Sequence, residues 1–217
     1  MSKDTKVIGQ VSLIDRLKEY VEDKFAPYEL FTNEDKVPSP EFIEKGLCFG
    51  LCAYLAHCVL TENNPDIPQA DIKKNDLITN PATVEEFYTA IDFINHSKWP
   101  DDPKLEKEFY HQMQYFLTII TQLHSGKMRS NAEGGLVAQN IENILNESTR
   151  ASDKPTNNDS VYTRKTIASY AFVTLEEFMQ WAKNAKPGDV LAIGSPGHEM
   201  LMYATTHKTN KDTVLIG

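Results

Sequence analysis

Two short runs in this chain hold residue types that can act together. The first is Gly46-Leu47-Cys48-Phe49-Gly50-Leu51-Cys52-Ala53-Tyr54-Leu55-Ala56. The second is Gly188-Asp189-Val190-Leu191-Ala192-Ile193-Gly194 followed by Gly197-His198-Glu199-Met200-Leu201-Met202-Tyr203. A cysteine opening an apolar helix sits at the positive end of the helix dipole, which favours the thiolate, the form that attacks carbon. A histidine opening an apolar strand has a rigid backbone and one open side, which suits a general base. Cys48 upstream of His198 is therefore a candidate nucleophile–base pair.

The glycines around Cys48 add to its case. Gly46 permits a tight turn into the helix, and Gly50 lets another chain come close. Against this stands the plainer role of a small core residue, which most free cysteines fill. Cys52 and Cys58 lie inside the same apolar helix and read as core. His57, His96, His111, His124 and His207 read as surface or helix-end residues. His198 itself has the plain alternative of a hairpin residue with no task.

A third group should orient the imidazole. Asp212 is the nearest downstream acid. If 198–205 and 212–217 pair about a turn near 208, Asp212 faces residue 204, roughly 20 Å from His198 at about 3.3 Å per residue. It is a poor orienter, and the position opposite His198 falls beyond Gly217. Glu199 adjoins His198, but on the opposite sheet face. For an oxyanion, the Cys48 amide offers one donor. Positions 41–47 contain no Asn or Gln, and Asn33 is the nearest side-chain amide.

The run from Gly46 to Cys52 resembles the nucleophile segment of papain-like cysteine peptidases, and more narrowly that of YopT-type bacterial effector proteases. The run from Gly197 to Tyr203 resembles their glycine–histidine strand. In that family an aspartate ends the next strand, whereas here that slot holds Thr213 to Gly217. Lys186-Pro187-Gly188-Asp189-Val190 before a histidine strand also resembles the NlpC-type cell-wall hydrolases. The resemblance implies an α+β papain-like fold, with the cysteine helix packed on a C-terminal antiparallel sheet. It implies attack on an amide through a thioester, Cys48 as nucleophile and His198 as base, with no cofactor and no metal. A protein substrate, delivery to a host cytosol and a role in virulence are further implications. Transglutaminase or deamidase chemistry on a glutamine, and a non-catalytic interaction domain, are the alternatives.

The elements that must position this pair follow from periodicity. Apolar residues at helical spacing predict helices over 11–25, 83–95, 103–124 and 133–147, and another within 41–60 starting near Gly46–Cys48. Thr174-Leu175-Glu176-Glu177 is a capping box for a helix to about Asn184, ended by Pro187-Gly188. Strands are expected over 161–173, 189–194, 198–205 and 212–217. Helices first and strands last predict an α+β arrangement with the sheet segregated. The expected organisation is one domain over 1–217, with a helical insertion about 83–147 that carries substrate choice. The apolar ending Val214-Leu215-Ile216-Gly217 predicts a fragment of a longer protein.

Composition sets outer bounds. Hydrophobic residues are 41% of the 217 and charged residues 24%, as in a chain with a substantial core. A formal net charge of −9 argues against nucleic acid or an anionic membrane as partner. Three cysteines without zinc-site spacing argue against a disulfide scaffold and for free thiols in a reducing compartment. The first residues, Met1-Ser2-Lys3-Asp4-Thr5-Lys6, lack the apolar core of a secretory signal, and no run is long enough to span a bilayer.

Overall fold

The computed structural model describes residues 10–21, 47–63, 81–125, 135–150, 174–195, 198–206 and 213–216. Among the described residues six helices come first: α1 (Gln10–Glu19), α2 (Cys48–Asn63), α3 (Val84–His96), α4 (Pro103–Ser125), α5 (Gly135–Arg150) and α6 (Leu175–Asn184). Three strands follow: β1 (Val190–Ser195), β2 (His198–Thr206) and β3 (Thr213–Ile216). The class is α+β, mostly helical, and the described strands form a small antiparallel sheet in the order β1-β2-β3. The strand expected over 161–173 lies outside the described residues.

Local chemistry sets the helix ends. Thr83 and Thr174 each accept from the amide three residues on, and Glu86 and Glu177 reach back to the cap amides. Each capping box satisfies two donors that a helix start leaves without intrahelical partners. At the far end of α3, the carbonyl of Ser97 accepts from Arg16 at 2.5 Å and from the Tyr20 hydroxyl at 3.2 Å. These two bonds tie α1 to the end of α3, and Tyr20 also packs on Trp99 and Phe109.

The core forms around α2 and α4. From Phe109 to Leu123 every residue of α4 except His111 is buried, including Gln112, Gln114, Thr118, Thr121 and Gln122. The expected single apolar face on 103–124 is thus only part of the buried surface. Neighbouring elements cover the polar side as well, a tertiary effect that periodicity does not carry. Tyr54 of α2 stacks on Phe116 of α4 and meets Phe87 of α3 edge-on.

The turn into the sheet has a sequence cause. The amide of Asp189 donates to the carbonyl of Lys186 at 2.9 Å, with Pro187 and Gly188 between them. Gly188 has φ of +94°, the conformation a type II turn requires at its third position. The β1–β2 register pairs Ser195 with His198 and Val190 with Tyr203. The β2–β3 register pairs Ala204 with Leu215 and Thr206 with Thr213. This corrects the expected hairpin: position 204 faces Leu215, three residues beyond Asp212. The connection between the strands is longer than a turn centred near 208 allows.

Candidate active site

Helix α2 begins at Cys48. The amide of Leu51 donates to the carbonyl of Leu47 at 2.9 Å, which makes Leu47 the cap position and Cys48 the first helical residue. The amides of residues 48–50 have no acceptor within the helix. Leu47 has no side-chain oxygen, so it cannot cap them as Ser, Thr, Asp or Asn would. Cys48 is buried, at 8% exposure.

The two sides of α2 face different neighbours. Gly50 meets α4: a Cβ there would overlap the carbonyl oxygen of Ile120 and lie 3.2 Å from the amide nitrogen of His124. The expectation that Gly50 permits a close approach is met by this contact. Opposite it runs a stripe of Cys48, Cys52, Val59 and Asn63, aligned by the period of about 3.6 residues. The Cys52 thiol donates to the carbonyl of Glu199 on β2 at 3.6 Å. Asn63, at the other end, lies against Gly188, where a Cβ would come within 2.8 Å of the Asn63 Cβ. Gly188 in turn bonds Ala204 of β2. Helix α2 and strand β2 therefore run in the same direction, and their starts lie at the same end.

That direction fixes the level of Cys48. It precedes Cys52 by one turn, about 6 Å along the axis. His198 precedes Glu199 by one strand residue, about 3.3 Å. The first residue of α2 and the first residue of β2 thus converge at the head of the helix–sheet layer. Alternation along β2 assigns faces: Leu201 and Tyr203 are buried against the core, whereas Met200 is 53% exposed. Leu201 and Tyr203 thus share the core-facing side of β2, with Ala204 also buried near its end. Glu199 lies near enough to Cys52 for its charge to act on that thiol.

The remaining candidates separate by burial. Burial pushes the Cys52 thiol up to about 12, with the nearby Glu199 and Cys48 adding to the rise. Such a thiol stays protonated and suits the hydrogen bond it makes. Cys58 is fully buried, donates to the carbonyl of Pro81 at 3.6 Å, and is raised well above an ordinary thiol. His57, expected at the surface or a helix end, is instead wholly buried with neither ring nitrogen hydrogen-bonded, and burial lowers it to about 4. His96 does end a helix, its Nδ1 2.9 Å from the Asp92 carbonyl. His124 closes α4 with its ring edge-on to Phe49 at 6.5 Å, and burial lowers its affinity for a proton. His207, Asp212 and Asn33 lie outside the described residues.

Among the described residues no three His, Cys, Asp or Glu side chains gather as a metal site, and no helix is long and apolar enough to cross a membrane. Comparison with protein-family models, characterised proteins and solved structures found no match.

Proposed function

We propose that the protein is a thiol hydrolase of papain-like architecture that cleaves an amide through a thioester at Cys48. The observation that carries this is the shared head of α2 and β2, with Cys48 on the helix stripe that faces the strand beginning at His198. The amides at 48–50, which have no acceptor within α2, add to it, because donors at a helix start stabilise an oxyanion.

In the proposed reaction the Cys48 proton passes to the His198 imidazole as sulfur attacks the carbonyl carbon. The carbon–oxygen double bond opens to an oxyanion, held by the amides at the head of α2. The oxyanion then collapses, the carbon–nitrogen bond breaks, and the imidazolium gives its proton to the leaving amine. Water, deprotonated by the same imidazole, attacks the thioester and returns the thiol. A host protein as substrate and delivery to a host cytosol rest on the motif resemblance alone.

The test is to incubate the wild type and Cys48→Ala with a mixed protein lysate and label new amino termini, with ammonia measured in parallel. New termini made only by the wild type support the hydrolase. Ammonia without new termini moves the chemistry to glutamine deamidation or transfer. Neither product, with Cys48→Ala indistinguishable from wild type, contradicts catalysis and favours an interaction domain.

A further inference from the structure

We propose that Phe49, backed by the ring of His124, is the specificity-determining wall of this site and selects an apolar side chain beside the attacked carbonyl. The inference rests on the thiol-hydrolase reading and names the substrate class for it.

Phe49 follows the nucleophile directly, yet it is 40% exposed. Among the described residues the other large exposed apolar side chains are on α4, α5, α6 and β2, so Phe49 alone shares the helix of Cys48. It lies about 100° round α2 from Cys48 and about as far from Gly50, between the sheet-facing and α4-facing sides. A group held at the Cys48 sulfur and the amides of 49 and 50 would have this ring at its flank. The ring is also held in place. Gly50 brings α4 so close that the His124 backbone lies beside it, and the two rings meet edge-on at an interplanar angle of 81°. Edge-to-face aromatic pairs fix orientation as well as contact. A fixed, half-exposed aromatic surface gains when an apolar group covers it.

Charge points the same way. Glu199 lies near Cys52, one turn along from Cys48, and the chain carries a net charge of −9. An acidic side chain at this flank meets like charge and no apolar gain. Preference should therefore run from aromatic and branched aliphatic groups down to carboxylates.

The probes are N-chloroacetyl-phenylalaninamide, N-chloroacetyl-leucinamide and the N-chloroacetyl amide of glutamic acid, with chloroacetamide as reference. The Cys48 thiolate displaces chloride: a carbon–sulfur bond forms, the carbon–chlorine bond breaks, and chloride leaves with the electron pair. Rates at Cys48 in the full chain are read by peptide mass spectrometry and normalised to free N-acetylcysteine. The phenylalanine and leucine probes should exceed the glutamate probe by roughly tenfold. Phe49→Ala should cut that ratio to about twofold and Phe49→Tyr should restore it, with thermal melts showing that both variants fold. A wild-type ratio near one, or an unchanged ratio in folded Phe49→Ala, overturns the proposal. The reference probe judges the underlying chemistry separately. A chloroacetamide rate indifferent to His198→Ala contradicts the hydrolase, and a Phe49-dependent ratio in that case still supports the apolar wall. No reaction at Cys48 with any probe overturns both.

Discussion

Along α2, the side that meets α4 and the side that meets β2 place opposite demands on the residues they carry. Toward α4 the helix needs the absence of a side chain at Gly50, and the contact is backbone against backbone. The same side buries His57 without a hydrogen bond. Toward β2 the helix shows Cys48 and Cys52, with a thiol-to-carbonyl bond and a carboxylate nearby. The first side holds the helix in place. The second, so anchored, keeps a cysteine at the helix start beside the start of a strand. Close packing on one side of an element is thus what lets the other side carry thiols at a fixed height.

The comparison can be broken at its packed side first. Between pH 6.5 and 4 the unfolded chain holds a proton at position 57 that the buried ring refuses. Stability should therefore fall as pH falls through that window, by about 3 kcal/mol in all. Denaturant titrations across the window should show this slope in the wild type and lose it in His57→Leu, which should also be the more stable protein at pH 5. Gly50→Ala comes next. Alanine gains about 1 kcal/mol of helix propensity over glycine. Overlap with the Ile120 carbonyl forces two backbones apart and costs about 3 kcal/mol, so the net loss should be about 2 kcal/mol by urea unfolding. An unchanged midpoint would mean that α2 and α4 are not in contact there.

Smaller effects sharpen the sheet-facing side. Gly188→Ala puts a Cβ at positive φ and against Asn63. It should cost about 1–2 kcal/mol and loosen the base of the α2–β2 pairing, seen as faster amide exchange at Ala204. Cys52→Ala removes a single weak hydrogen bond and should cost at most about 1 kcal/mol. Alkylation of Cys48 should continue in that variant, since the Cys52 thiol is held protonated.

Much of this was legible in the residues themselves. Glycine inside an apolar helix marked the close approach at Gly50, and Thr174 with Glu177 marked the start of α6, because each signal is local chemistry. The helix that begins at Cys48 and the strand that begins at His198 were readable for the same reason. The burial of His57 was not, since a histidine on an apolar face keeps its polar reading until neighbouring helices close over it. The buried glutamines of α4 escaped for that reason too. The β2–β3 register depended on the length of a connection that no turn signal fixed, and so the expected partner of position 204 was three residues off. Among the described residues the partner of His198 across the sheet is Ser195, so the register supplies no acid opposite it.

The most direct measurement is the rate of iodoacetamide alkylation at Cys48 against pH, in a Cys52→Ala, Cys58→Ala background, with and without His198→Ala. A rate midpoint well below the free-thiol value of about 8.5, lost in His198→Ala, is the result predicted for an activated pair at the shared head of α2 and β2. A midpoint at or above that value, indifferent to His198, would contradict the pairing and leave Cys48 as a packed residue at a helix start.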